Sequence, residues 1–138
     1  MKLRIGVRNL YFESAHYTPS SEPDNVIHGH TYFVEVEIEG KFNENTGFIE
    51  DFNLLRDRLR NVIKELDHSL LIPRKDSDLI KVEGPFKPKI KVLDYNFVTA
   101  ETISMLICNE VYERFDYKYN VKVKVYEGPD VYAEAQCP

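Results

Sequence analysis

Residues 28–40 read HGHTYFVEVEIEG and carry the clearest structural pattern in the chain. From Tyr32 to Ile38 every second residue is apolar, with charged or aromatic residues between. This period of two predicts a strand over Thr31–Glu39 that has one face in the core and stops at a glycine. Leu3 to Phe12 shows the same alternation. The N-terminal half is therefore expected to contain two strands.

Helical and extended patterns alternate in the rest of the chain. Apolar residues spaced three to four apart predict one helix from Asp51 to Leu66 and another from Thr99 to about Phe115. Period-two segments predict strands over Lys89–Tyr95 and Tyr119–Glu127, and the polar stretch Pro73–Pro88 is expected to be a long connection. The predicted order is strand, strand, helix, strand, helix, strand, which is an α+β fold.

Length and composition restrict the class of protein. With 138 residues and 43% hydrophobic residues, residues 1–138 are expected to form one domain. The net charge of −5 argues against a nucleic-acid partner. No signal-peptide core and no apolar run of roughly 20 residues is found, so we expect a cytoplasmic protein without a membrane partner. Cys108 and Cys137 alone provide neither a disulfide framework nor a paired-cysteine zinc motif.

Two helices cover only one face of a four-stranded sheet. The strands are rich in valine, and we expect the apolar surface that the helices leave open to meet another subunit. The sequence therefore predicts a homo-oligomer.

Three of the four histidines lie within residues 16–30. In an extended segment the imidazoles of His28 and His30 point to the same side. His16 closes the first strand and can lie beside them, which gives three nitrogens and leaves one position open, as in catalytic zinc sites. Such ligands favour zinc over calcium or magnesium. The alternative is that the three are half-exposed residues at strand ends and hold no metal.

Motifs spread over nearly the whole chain resemble the 6-pyruvoyltetrahydropterin synthase and 6-carboxytetrahydropterin synthase family. They are Phe12-Glu13-Ser14-Ala15-His16, His28-Gly29-His30, Gly47-Phe48-Ile49-Glu50-Asp51-Phe52, Leu66-Asp67-His68, Thr99-Ala100-Glu101 and Glu127. The resemblance implies the T-fold (tunnelling fold), in which a four-stranded antiparallel sheet with two helices on one face joins other copies into a barrel. It also implies a trimer or hexamer with active sites between subunits.

The resemblance also implies roles for individual residues. His16, His28 and His30 would hold Zn²⁺. Asp67 would orient His68 so that the imidazole moves protons on the substrate side chain.

The remaining motif residues would contact the substrate. Glu127 would accept hydrogen bonds from the amino group and ring N–H of a pterin, and Thr99 and Glu101 would lie at the rim of the same site. Each residue also has a purely structural interpretation: Asp67 and His68 as a helix terminus, Glu127 as a solvated strand end, and Glu101 as a favourable charge in a first helical turn.

The loop from Thr18 to Asn25, which contains two prolines and is expected at the surface, departs from the family pattern. Family members that make 6-pyruvoyl or 6-carboxy products resemble one another in having a cysteine shortly before His-Gly-His. Here residues 18–27 contain none, and Glu22 or, as second choice, Asp24 is the available base. A carboxylate, with a pKa of about 4, is a weaker base than a thiolate but is always ionised at neutral pH.

The sequence therefore predicts a zinc-dependent lyase that acts on 7,8-dihydroneopterin triphosphate. We favour side-chain cleavage to 6-hydroxymethyl-dihydropterin over a 6-pyruvoyl or 6-carboxy product, because a branch of the family that resembles this arrangement uses glutamate. One alternative is a pterin- or purine-binding, metal-containing oligomer without catalysis. A purely structural zinc protein is disfavoured because three histidines leave the metal open.

Overall fold

A six-stranded sheet with two helices packed against it organises the chain. The computed structural model describes residues 1–138. The elements, in chain order, are β1 (Leu3–His16), β2 (His28–Gly40), α1 (Phe52–Leu66), β3 (Ser69–Pro73), β4 (Ile90–Leu93), α2 (Ala100–Arg114), β5 (Asn120–Tyr126) and β6 (Tyr132–Cys137). Their order across the sheet is β4-β3-β1-β2-β5-β6.

The sheet is mixed, which corrects the expected four-stranded antiparallel sheet. β1, β2, β5 and β6 pair antiparallel, whereas β3 runs parallel to β1 and β4 runs parallel to β3. The strand expected over Lys89–Tyr95 exists as Ile90–Leu93, but it lies at the outer edge and outside the antiparallel part. Strand β3 returns to the sheet after α1 in a crossover connection, as parallel pairing requires.

Two strands, β3 and β6, do not appear in the predicted order. In β3, Leu71 and Ile72 are both buried, so the segment lacks the alternation of a half-exposed strand. In β6 the inward positions are small side chains, Ala133, Ala135 and Cys137, whose hydrophobic contrast with the outward positions is weak. Neither segment therefore shows a strong period of two.

The predicted helices are confirmed almost to the residue. Asp51 caps α1 by accepting a hydrogen bond from the Asn53 backbone N–H at 2.7 Å. Thr99 caps α2 in a reciprocal capping box with Thr102. Neither helix is long and apolar enough to span a lipid bilayer.

The core lies between the helices and one face of the sheet. Alternate residues of β2 and β5 are fully or almost fully buried there together with the apolar faces of α1 and α2; the strand residues are Tyr32, Val34, Val36, Ile38, Val121, Val123 and Val125. The valines of β2 and β5 face the helices, because the period of two directs them there. The open face carries cross-strand ion pairs, such as Arg4 with Glu39 at 2.8 Å, and exposed aromatic side chains, such as Tyr11 and Phe33, whose ring centroids are 5.6 Å apart.

Candidate metal centre and active site

The pairing of β1 with β2 brings the three predicted histidines together. His16 lies directly opposite His28, and Ser14 lies opposite His30. Residues two apart on one strand share a face, and so do residues directly opposite each other on neighbouring strands. All three imidazoles therefore project from the same side of the sheet. Their ring centroids are 4.6 Å (His16 to His28), 4.9 Å (His28 to His30) and 5.2 Å (His16 to His30) apart.

Backbone carbonyl groups orient two of these rings. The Nδ1 atom of His16 lies 2.9 Å from the Val98 carbonyl oxygen, and Nδ1 of His28 lies 2.7 Å from that of Val26. A carbonyl can only accept, so in both rings the proton is assigned to Nδ1. The Nε2 atoms then present lone pairs, which is the arrangement that second-shell contacts impose on metal-binding histidines.

Glu127, which follows β5 directly, completes the cluster. Its Oε1 atom lies 3.0 Å from Nε2 of His30 and 3.2 Å from Nε2 of His16. His16, His28, His30 and Glu127 each offer one ligand atom, and these four atoms all lie within 4.8 Å of one another. Neither of the buried Nε2 atoms of His16 and His30 has a hydrogen-bond partner, although Glu127 Oε1 lies close to both. Three imidazole nitrogens and one carboxylate oxygen, with two nitrogens unsatisfied, fit a zinc ion.

The surroundings of His16 favour the neutral imidazole that a metal requires. The side chain is 1% exposed, and burial lowers its pKa below the ordinary value of 6.5 despite the opposing effects of the Val98 carbonyl and the Glu127 charge. A neutral His16 is therefore available as a ligand without displacement of a proton at neutral pH.

Two buried hydroxyl groups beside the cluster also lack partners, those of Ser14 and Tyr32. The ring of Tyr32 packs against His30 at 5.4 Å and against His16 at 6.1 Å, centroid to centroid. Burial raises the pKa of the Tyr32 hydroxyl, and the charge of Glu127 raises it further. The hydroxyl is therefore a hydrogen-bond donor close to that carboxylate.

A cavity of about 630 Å³ reaches the cluster at two residues, His30 and Glu127. Phe33 and Tyr126, which lie opposite each other on β2 and β5, line it from the other face of the sheet, because side chains alternate along a strand. Its volume is in the usual range for pockets that take small organic ligands.

Asp67 and His68 form the expected pair but lie elsewhere. Nδ1 of His68 is 2.9 Å from Asp67 Oδ2, and the other oxygen of Asp67 accepts a hydrogen bond from the Glu13 backbone N–H at 2.9 Å. Burial acts to raise the pKa of Asp67, but this hydrogen bond and His68 lower it below the ordinary value. The His68 side chain is 77% exposed. No hydrogen bond or ion pair joins either residue to the histidine and Glu127 cluster.

The two acidic residues of the loop, Glu22 and Asp24, differ in whether their side chains have a hydrogen-bond partner. Glu22 is exposed and begins a short 3-10 turn over Glu22–Asp24, with no side-chain partner. Asp24 accepts a hydrogen bond from the Ser21 hydroxyl at 3.0 Å. Both lie in the connection between His16 and His28, the two residues that close β1 and open β2.

The rim residues lie at the start of α2. The Thr99 hydroxyl is used as the helix cap, and Glu101 is an exposed residue of the first turn. Val98, immediately before them, supplies the carbonyl that orients His16, which places this helix start next to the metal cluster.

Sequence reasoning found the three histidines but missed that Glu127 lies against them, and it missed Tyr32. The pairing of Phe33 with Tyr126, extended by one residue, sets Glu127 opposite Tyr32. Only knowledge of which strands pair could have provided this signal.

Comparisons with known proteins agree with the geometry. Residues 5–137 match the family model of 6-pyruvoyl tetrahydropterin synthase. The chain is 29% identical over 133 residues to the 6-carboxy-5,6,7,8-tetrahydropterin synthase of Rickettsia bellii, covering 92% of this chain and 96% of that protein.

Solved structures show the same fold. A Plasmodium vivax 6-pyruvoyltetrahydropterin synthase, in a variant whose catalytic glutamate is replaced by alanine, has a TM-score of 0.81 at 21% identity, covering 99% of this chain and 98% of that one. The Caenorhabditis elegans 6-pyruvoyl tetrahydropterin synthase has a TM-score of 0.72 at 16% identity, covering 100% and 97%. With a family match that extends over nearly its whole length, the chain belongs to the 6-pyruvoyl tetrahydropterin synthase family, a family of pterin synthases.

Proposed function

We propose that the protein is a zinc-dependent lyase that acts on 7,8-dihydroneopterin triphosphate and cleaves its side chain to give 6-hydroxymethyl-dihydropterin. The observation that carries the proposal is the cluster of His16, His28, His30 and Glu127, with two unsatisfied imidazole nitrogens, at the wall of a 630 Å³ cavity. The site is open to a substrate when the three imidazoles alone hold the metal, because catalytic zinc has three protein ligands and structural zinc has four.

The three imidazoles would hold the zinc ion, and Glu127 would remain available for the pterin ring. Zinc bound there would act as a Lewis acid toward the side-chain hydroxyls of the substrate. A carboxylate matches the amino group and ring N–H of a pterin in a two-point hydrogen bond.

Glu22 is the proposed base. The connection that carries it starts beside His16 and ends beside His28, so it adjoins the cluster at both ends. Glu22 has no side-chain partner, whereas Asp24 is held by Ser21. The catalytic glutamate of the Plasmodium vivax relative supports a carboxylate in this role. An ionised carboxylate can take a proton from a side-chain hydroxyl, which starts cleavage of the retro-aldol type. The oxygen then becomes the carbonyl of an aldehyde that leaves with the triphosphate, the carbon–carbon bond breaks, and the carbon that stays on the ring takes up a proton.

Asp67 and His68 are proposed to serve the active site of a neighbouring copy in a trimer or hexamer. In one chain they do not touch the metal cluster, and the His68 imidazole is largely exposed. The Asp67 carboxylate, fixed by the Glu13 N–H, would hold His68 in one tautomer, so that the free Nε2 atom exchanges protons with the substrate.

The experiment that tests the proposal is identification of the product by mass spectrometry. Zinc-loaded protein is mixed with 7,8-dihydroneopterin triphosphate, and metal-stripped protein serves as the control. A 6-hydroxymethyl pterin formed only with the loaded protein is the expected result. A 6-pyruvoyl or 6-carboxy product would overturn the proposed cleavage but keep the family chemistry. Binding of a pterin without turnover would instead support the non-catalytic alternative.

A further inference from the structure

Tyr32 carries a hydroxyl that the fold itself does not use. The side chain is 0% exposed and stacks on Phe12 with ring centroids 4.9 Å apart. Its oxygen has no hydrogen-bond partner. A buried hydroxyl without a partner destabilises a protein relative to phenylalanine, which would fill the same space. The hydroxyl is therefore not explained by packing.

The register of β2 and β5, continued by one residue, brings Tyr32 opposite Glu127. Val34 pairs with Val125 and Phe33 with Tyr126, so the next position sets Tyr32 opposite Glu127 on the face that carries the histidines. In the metal-free arrangement, Glu127 Oε1 lies against the Nε2 atoms of His16 and His30. The ring of Tyr32 packs against the same two imidazoles, and the charge of Glu127 acts on its hydroxyl.

Glu127 needs a donor other than the imidazoles that backbone carbonyl groups orient. The proton of His16 and that of His28 lie on Nδ1, so their Nε2 atoms present lone pairs and cannot donate to the carboxylate. The Ser14 and Tyr32 hydroxyls are the unpartnered donors beside the cluster, and the charge of Glu127 acts on the Tyr32 hydroxyl. We propose that Tyr32 is a positioning residue, whose hydroxyl donates to Glu127 and holds that carboxylate in the orientation that receives the pterin ring. This inference rests on the proposed function, in which Glu127 binds the pterin.

Two conservative substitutions test the proposal. Tyr32→Phe removes the unpartnered hydroxyl, and Tyr119→Phe is the matched control, since the buried Tyr119 hydroxyl lies 3.1 Å from the Ile49 carbonyl and 3.0 Å from Glu50. The measurements are the melting temperature, the zinc content and the Kd for neopterin, used as the pterin probe, on zinc-loaded protein.

Tyr32→Phe is expected to weaken neopterin binding by about tenfold, which corresponds to about 1.4 kcal/mol, with zinc content and melting temperature not lowered. Tyr119→Phe is expected to lower the melting temperature and to leave the Kd unchanged. Because Tyr32 is proposed to act through Glu127, Tyr32→Phe should add no further loss in a Glu127→Ala background, whereas a merely structural role would give additive losses.

Three results would overturn the inference. If the Tyr32→Phe variant binds neopterin as the unaltered protein does, while Glu127→Ala does not, the inference alone is wrong. If the two substitutions have additive effects, Tyr32 does not act through Glu127. If the unaltered zinc-loaded protein binds no pterin, the proposed function fails and the inference fails with it.

Discussion

Loading the metal-free protein with zinc should raise its melting temperature by about 6 to 18 °C. The metal-free fold buries two imidazole nitrogens, Nε2 of His16 and of His30, that have no hydrogen-bond partner. Each such atom costs about 1 to 3 kcal/mol, so a metal that satisfies both contributes about 2 to 6 kcal/mol. For a chain of this length, 1 kcal/mol corresponds to about 3 °C.

The assay is thermal unfolding of chelator-treated protein with and without zinc, at one fixed protein concentration because assembly also shifts the transition. Magnesium, which prefers oxygen ligands, serves as the control ion and should give no shift. A His16→Gln variant should lose most of the zinc effect. Equal melting temperatures with zinc and with chelator would refute the reasoning, because the unsatisfied nitrogens would then not form a metal site.

The other predictions concern the base, the assembly and pH. Glu22→Ala should abolish turnover and leave zinc content intact, since the exposed side chain has no structural partner. His28→Ala and His68→Ala should each be inactive, but refolding them together should restore function to about a quarter of the sites, because each intact site would draw on two copies. Burial lowers the pKa of His16 in the folded metal-free chain. Below about pH 6.5 the unfolded chain therefore binds a proton at His16 more readily than the folded chain does. The free energy of unfolding should for this reason fall from pH 7 to pH 5.

Each of these has a result that contradicts it. Full turnover by Glu22→Ala would exclude it as the base, and Asp24→Ala would be the next variant to assay. Mixed oligomers with no more activity than the separate variants would place both groups in one subunit. Urea titrations at pH 7 and pH 5 compare the unaltered protein with His16→Gln. If both lose the same free energy of unfolding as the pH falls, His16 does not cause the loss.

The local pattern of the sequence predicted the elements that have one buried face. Asp51 and Thr99 marked helix starts through their capping chemistry, and the structure confirms both. The alternation in β2 was equally readable because each inward residue is apolar and most outward ones are charged. Strand β3 was not predicted because it is largely buried and lacks an exposed polar face. Strand β6 was not predicted because its inward alanine and cysteine residues are small and contrast only weakly in hydrophobicity with the outward residues.

The sequence by itself identified the three histidines of the candidate metal centre. His16, His28 and His30 could be chosen because an i, i+2 pair on a strand shares a face and a strand end can meet the start of the next. Their order and spacing also carried the family resemblance, which the family match confirms. The side-chain periodicity is local to each strand, and the family resemblance depends on the order of the motifs along the chain.

Only the tertiary structure decided what surrounds those histidines. The contact of Glu127 with His16 and His30 depends on β5 pairing with β2, across 97 residues from His30 to Glu127. The same pairing, continued by one residue, brings Tyr32 opposite Glu127. The packing of α2 supplies the Val98 carbonyl to His16. Strand pairing is a choice among distant segments that satisfy the same hydrophobic pattern, so register and neighbours are fixed by the packing of the whole core and not by any one segment.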